Sequence, residues 1–210
     1  MNTTEKKGRF IVFEGIDGSG KSTQIKYLKK HMEENNKLFY ETREPSDSPM
    51  GVLIRQILTG KIKTDNKAIA ALFVSDRIEH ILNPECGLKA KIDSGVNVIC
   101  DRYYFSSYAY HSVDMDMDWV IDANSVCADI LKPDCTIFID ISPETAMQRI
   151  SAGRTQTELF ETKDRLTLVR EKYFEAFEKF SGKENILIID GNKSPEEISN
   201  EVWEKISHLF

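Results

Sequence analysis

The run Phe10-Ile11-Val12-Phe13-Glu14-Gly15-Ile16-Asp17-Gly18-Ser19-Gly20-Lys21-Ser22-Thr23 passes from four strand-forming residues straight into a glycine-punctuated loop. Gly15, Gly20, Lys21 and Ser22 fall on the spacing G-x-x-x-x-G-K-[ST], the phosphate-binding P-loop. Glycines let successive backbone N–H groups turn inward around a phosphate, and the helix that follows adds its positive N-terminus. Lys21 can then reach the β- and γ-phosphates, and the Ser22 hydroxyl can ligate Mg²⁺. Gly15, Ile16, Asp17, Gly18, Ser19, Gly20, Lys21, Ser22 and Thr23 are therefore the expected binding residues for a nucleoside polyphosphate. An ordinary glycine-rich turn is the bland alternative, and the strand before the loop and helix after it argue against it.

Outward from the loop, the pattern is one of strands alternating with helices. Strands are predicted near Lys37–Thr42, Val96–Cys100, Thr136–Ile141 and Ile186–Asp190. Helices are predicted over Ser22–Asn35, Pro49–Leu58, Asn66–Leu82, Pro84–Ser94, Ser106–Leu131 with a break around Val113–Asp118, from Ser142-Pro143-Glu144 onward, and over Lys163–Phe180 and Ser194–Phe210. Such alternation predicts an α/β protein, a three-layer fold with a five-stranded parallel sheet and helices on both faces. The chain reads as one domain, 1–210, with a polar, turn-rich lid at about 150–162. In such a sheet ligands bind outside the carboxyl ends of the strands. That rule gathers Gly15–Ser22, Arg43-Glu44-Pro45 and Asp101-Arg102-Tyr103 into one place.

With 210 residues, 40% apolar and 30% charged, the chain can bury a substantial core and is neither a membrane span nor disordered. No run of 18 apolar residues and no secretory signal is present, and Met1–Gly8 reads as a short polar, basic leader. A net charge of −6 without an offsetting basic stripe argues against nucleic acid as a partner. Cys86, Cys100, Cys127 and Cys135 show no metal or redox spacing, and Cys100 and Cys135 sit in strand-like runs where a reduced, buried thiol is expected. A cytoplasmic protein fits these features. Ala68–Val74 is apolar on nearly all sides of its helix, which predicts cover from the core and from a second copy of the chain. Asp114-Met115-Asp116-Met117-Asp118 imitates a calcium loop, yet Trp119 and Ser125 replace the glycine and the bidentate glutamate that such a loop needs. These acids are expected to cap the next helix instead. His31, His80 and His208 carry no partner signal and read as surface residues.

Asp101 ends an apolar strand, where a P-loop protein places the acidic residue of its Mg²⁺ site. Arg102 beside it can clamp a second phosphate. Taken alone the pair could equally be a surface ion pair; next to a P-loop the functional reading prevails. Phe73 and Arg77 share a helix face and could stack on and hydrogen-bond a nucleobase, although Phe73 by itself would pass for core.

Five motifs in order then resemble thymidylate kinase. They are Phe13-Glu14-Gly15-Ile16-Asp17-Gly18-Ser19-Gly20-Lys21-Ser22-Thr23-Gln24, Thr42-Arg43-Glu44-Pro45, Leu72-Phe73 with Asp76-Arg77, Asp101-Arg102-Tyr103 with Ser106-Ser107 and Ala109-Tyr110, and Lys132-Pro133-Asp134 before a strand ending in Asp140. The resemblance spans Phe10 to about Tyr173 and implies a P-loop kinase fold. It also implies transfer of the γ-phosphoryl of ATP to dTMP with Mg²⁺, giving dTDP and ADP, by a homodimer formed through Asn66–Leu82. By position, it implies that Asp17 meets the 3′-hydroxyl, Arg43 and Arg102 the acceptor phosphate, Phe73 and Arg77 the thymine, with Ser106 and Ser107 nearby and Tyr110 against the deoxyribose. Ser22 and Asp101 are the implied metal ligands, and Lys21, Arg102, Arg149 and Arg154 the catalytic cations, Arg149 at the end of the helix that leads into the lid and Arg154 inside the lid. Departures are Ser46-Asp47-Ser48 for Gly-Gly-Thr, His111 for Gln, and Thr157–Glu161 in the lid. A kinase for another deoxynucleotide or a deoxynucleoside is the nearest alternative, and a nucleotide-binding module without turnover is a further one. The arginines after the P-loop count against the module, since ATP binding alone needs no second phosphate clamp.

Overall fold

The computed structural model describes residues 7–153 and 162–210. Strands β1 (Phe10–Glu14), β2 (Phe39–Arg43), β3 (Asn97–Asp101), β4 (Cys135–Asp140) and β5 (Ile186–Asp190) form one parallel sheet in the order β2-β3-β1-β4-β5. β1 is central and pairs with both β3 and β4, Val12 lying opposite Cys100 on one side and Thr136 on the other. Its uninterrupted apolar run is what a strand covered on both faces requires.

The helices are α1 (Lys21–Glu34), α2 (Pro49–Leu58), α3 (Asn66–Leu82), α4 (Leu88–Asp93), α5 (Tyr104–His111), α6 (Met117–Ile130), α7 (Pro143–Gly153), α8 (Lys163–Lys179) and α9 (Pro195–Ile206), followed by a 3₁₀ turn at Ser207–Leu209. Side chains alternate across a strand, so β1 divides the core in two. Ile11 and Phe13 pack with Ile25, Leu28 and Met32 of α1 and Ile198 and Val202 of α9. Phe10 and Val12 pack on the other face with Tyr104, Phe105 and Tyr108 of α5, Cys127 of α6 and Leu166, Val169, Tyr173 and Phe177 of α8. The layered parallel architecture expected from the sequence is the one present.

Local signals set most boundaries. Ser48 caps α2 by accepting from Gly51 N at 3.1 Å, with Pro49 as the first helical residue. Ser194 and Glu197 form a reciprocal capping box at α9. Asp116 accepts from Trp119 N at 3.0 Å and caps α6, while Asp114 and Asp118 pair with Arg165 and Lys179. The acidic run is thus a cap and two ion pairs. The helix expected over Pro84–Ser94 is shorter: Asn83 Oδ1 accepts from the N–H groups of Glu85 and Cys86, turning the chain before α4 begins after Gly87. At the expected lid, α7 continues through Ser151 to Gly153, so the lid's first residues are helical. Residues 154–161, including Arg154, lie outside the described residues.

Each of the five strands ends in a charged residue, Glu14, Arg43, Asp101, Asp140 and Asp190. Arg43 and Phe13 both lie level with Asp101 in the sheet register. One sheet edge therefore presents the charges that the apolar strands could not hold within the sheet. Among the described residues no helix is long and apolar enough to cross a membrane.

Candidate active site

The loop after β1 turns at Gly15, whose φ of 145° no larger residue adopts readily. A Cβ there would also lie 2.8 Å from the Ile139 carbonyl oxygen and 2.7 Å from Ser19 Oγ. Gly20, at φ 98°, starts α1 directly into Lys21. The Lys21 ammonium is buried and donates to the carbonyls of Gly15 at 3.0 Å and Ile16 at 3.2 Å. Burial, helped by the nearby Arg102, lowers its pKa to about 8. Arg149, on α7, lies along the same loop, donating to Gly191 O at 3.0 Å and to Ser19 O at 3.4 Å.

Ser22 Oγ stands 3.4 Å from Asp101 Oδ2, and Asp101 Oδ1 is buried with no hydrogen-bond partner among the described residues. Among the described residues no cluster of three His, Cys, Asp or Glu side chains could hold a metal. One hydroxyl and one carboxylate with a spare oxygen are hard ligands of the kind Mg²⁺ takes when phosphates and water complete its shell. The residues present therefore fit the ion.

Beside the loop opens a cleft of about 650 Å³, its mouth included, lined among others by Asp17, Phe73, Arg77, Arg102, Ser106, Ser107 and Tyr110. Seven of the expected acceptor residues thus share one wall system. Arg43 does not line it; it is exposed at the end of β2 and pairs with Asp47 at 3.0 Å.

Arg102 is the centre of the cleft. Its backbone sits at φ 71°, the left-handed region that a residue with a long side chain enters only when its surroundings demand it. Nη1 donates to Gly15 O and Ser106 Oγ, both at 3.0 Å, and to the Tyr173 hydroxyl at 3.3 Å; Nη2 reaches Asp17 and, at 3.1 Å, the Tyr110 hydroxyl. Tyr110 donates in turn to Asp17 at 2.9 Å. Burial pushes the Asp17 carboxyl up, but Arg102 and Lys21 outweigh it and hold the group below its ordinary value.

Arg77, fully buried, forms the floor. Nε and Nη2 both bind Glu44 Oε2 at 2.7 Å, Nη2 also meets Ser107 Oγ at 3.2 Å, and Nη1 meets Asn124 Oδ1. Phe73 packs edge-on against His111, ring centres 5.2 Å apart. Burial, then the charges of Arg77 and Arg165, lower the His111 pKa to about 3, so this wall of the cleft is a neutral imidazole at ordinary pH.

Several members of the site carried no signal in the sequence. Glu14 was legible only as the end of a strand, Glu44 only as a letter of a motif, and Asn124 and Tyr173 as ordinary helix residues. His80 corrects the surface reading: its ring is wedged between Thr42 Oγ1 at 2.8 Å and Glu44 Oε1 at 3.3 Å. His31 is likewise engaged, with Ser199 Oγ at 3.1 Å and stacked on Trp203, while His208 is exposed as expected.

The model of the family described as thymidylate kinase matches residues 13–202. The chain belongs to the thymidylate kinase family. A Methanocaldococcus jannaschii protein named probable thymidylate kinase is 43% identical over 92% of this chain and 93% of its own length. One from Thermococcus kodakarensis with the same name is 35% identical over 96% and 98%. A Plasmodium falciparum thymidylate kinase is 30% identical over 100% and 94%. Against the thymidylate kinase pattern, Ser46-Asp47-Ser48 acquires a physical account. The buried carboxylate of Asp76 accepts from Ser46 N at 2.7 Å and from the hydroxyls of Ser46 and Ser48, each at 2.6 Å. Ser46 thus adds a side-chain tie to α3 where a glycine would offer only backbone, and Ser48 keeps the hydroxyl that a threonine would supply.

Proposed function

We propose that this chain is a thymidylate kinase that transfers the γ-phosphoryl group of ATP to dTMP with Mg²⁺, giving ADP and dTDP. One observation carries the reading beyond family membership: Lys21 Nζ and Arg102 Nη1 both donate to the Gly15 carbonyl at 3.0 Å. The P-loop cation and the cleft cation therefore converge on one point. A donor phosphate on the first and an acceptor phosphate on the second would lie side by side, which is what in-line transfer requires.

In this reading the β- and γ-phosphates lie in the loop Gly15–Thr23 with Lys21 against them. Ser22 and Asp101 would hold Mg²⁺, which would supply positive charge against that of the phosphates. Arg102 orients the dTMP phosphate, joined by Arg43 once it leaves Asp47. The thymine stacks on Phe73 above Arg77 and Ser107. Asp17 and Tyr110, fixed to each other, meet the deoxyribose. An acceptor phosphate oxygen forms a bond to the γ-phosphorus as the bond to the β–γ bridging oxygen breaks and ADP leaves. The attacking oxygen is already anionic near pH 7, where a phosphate monoester carries about −1.5 to −2, so no general base is needed. ³²P transfer from γ-labelled ATP into dTDP, resolved by chromatography, tests the reaction; label appearing only as inorganic phosphate would contradict it.

Arg149 belongs to the transition state in this reading. From its place beside Ser19 and Gly191 it needs only a short swing to meet the migrating phosphoryl. Arg149→Ala is expected to lower kcat about a hundredfold, roughly 2.7 kcal/mol, with little change in acceptor KM. Steady-state kinetics decides it, and near-wild-type kcat would reduce Arg149 to an anchor for α7. Arg154 carries the same expectation as the lid's second cation.

A homodimer through α3 is the proposed assembly. Leu82 of α3 and Trp119 and Val126 of the neighbouring α6 are exposed apolar side chains, 44–50% accessible, and a second copy would cover them. Three buried, unpaired cysteines, Cys100, Cys127 and Cys135, fit the proposed cytoplasmic location, where thiols stay reduced.

A further inference from the structure

Glu14 ends β1 directly below Arg102, is completely buried, and has no role in the reaction as set out above. Its two carboxylate oxygens take four donors. Oε1 accepts from the backbone N–H of Tyr103 at 2.8 Å and of Ser106 at 3.1 Å; Oε2 accepts from the hydroxyls of Ser106 at 2.6 Å and Tyr173 at 2.8 Å. Those two hydroxyls, 2.9 Å from each other, are the pair that receives Arg102 Nη1.

A hydroxyl has one proton and two acceptor lone pairs. Committed to the carboxylate, the protons of Ser106 and Tyr173 cannot point at the guanidinium, and the lone pairs face it. An amide at position 14 would put an N–H₂ donor where one oxygen now accepts. A hydroxyl would then have to turn its proton elsewhere, and the nearest acceptor directions are those Arg102 uses. We propose that Glu14 is a positioning residue for the acceptor phosphate: by fixing the hydroxyl protons of Ser106 and Tyr173 it sets the Arg102 guanidinium in the orientation that grips dTMP. The proposal rests on the reading of Arg102 as a ligand of that phosphate.

Glu14 also ties α5 to β1 through two backbone groups, so loss of stability alone would prove nothing. The discriminating readout is the phosphate itself. Calorimetric titration of the full-length protein with dTMP and with thymidine, which lacks the phosphate, is compared among wild type, Glu14→Gln, Tyr173→Phe and Arg102→Ala. Glu14→Gln is expected to weaken dTMP about tenfold, the lower range for a hydrogen bond to a charged group, and thymidine by less than about twofold. Tyr173→Phe removes one of the two hydroxyls and leaves the backbone contacts of Glu14 intact; about a threefold loss, again confined to dTMP, is expected. It carries the test if Glu14→Gln does not fold. Arg102→Ala should weaken dTMP by more than Glu14→Gln does, since it removes the guanidinium itself. Equal losses for both ligands in the folded position-14 and position-173 variants, or none for dTMP, would overturn the proposal while Arg102→Ala keeps its effect. Wild-type dTMP affinity in Arg102→Ala would overturn the assignment of Arg102, and this proposal with it. Failure of wild type to bind dTMP would overturn the functional reading itself.

Discussion

Lys21→Ala is expected to leave a folded protein whose turnover is lower by roughly 10²–10³-fold, the effect of removing one preorganised donor from a developing charge. The fold should survive because the Lys21 ammonium makes two hydrogen bonds, both to carbonyls of its own loop. The Gly15 carbonyl keeps Arg102 as a donor when Lys21 is gone, and alanine is the best residue for a helix. The buried ammonium is itself costly, as its pKa of about 8 shows, so its removal relieves a burden on the native state. The loss should therefore appear in kcat for ADP formation and not in the thermal midpoint. A folded Lys21→Ala protein that keeps most of its turnover would mean that the loop does not carry the transferred phosphoryl group.

Arg77→Ala should act on the fold at least as much as on substrate. A base-edge ligand alone would change only acceptor binding. Here the guanidinium is 1% accessible and its donors are held by Glu44, Ser107 and Asn124. Removing it leaves the Glu44 carboxylate, 2% accessible, with His80 Nδ1 at 3.3 Å as its remaining side-chain partner among the described residues. Stranding one partner of a buried ion pair costs about 3–5 kcal/mol, enough to threaten a domain of ordinary stability. Chemical denaturation should show the midpoint falling at unchanged slope. Arg77→Met combined with Glu44→Gln should recover much of the loss, because replacing both partners leaves no stranded charge. Stability within about 1 kcal/mol of wild type in Arg77→Ala would show that Glu44 is not held by this arginine.

These two positions mark how far the sequence could be read. Lys21 sits in a motif whose parts are neighbours in the chain, so spacing alone sets its geometry. The sheet was legible for a similar reason: β1 and β4 are mostly apolar up to their charged last residues, and Gly20, Ser48, Asp65 and Ser194 punctuate the helices they precede. Arg102 and Asp101 were legible as the end of an apolar strand. Arg77 was visible as a cleft residue, but its partners were not. Glu44 is 33 residues away and Asn124 is 47, and no local pattern says which polar groups packing will bring together. The same holds for Tyr173, 71 residues from Arg102, and for His80, whose burial depends on Thr42 and Glu44 from another element. Arg43 differs in another way. Its place at a strand end was right, yet Asp47, four residues on, holds its side chain outside the cleft.

ADP release in a coupled assay with ATP, Mg²⁺ and a panel of nucleoside monophosphates, compared as kcat/KM, tests the central claim most directly. An aromatic face on Phe73, a neutral His111 and a fixed Tyr110–Asp17 pair at the sugar predict that dTMP is the best acceptor and that ribonucleotides are poor ones. Release of ADP that does not depend on dTMP, or a higher kcat/KM for another monophosphate, would contradict it.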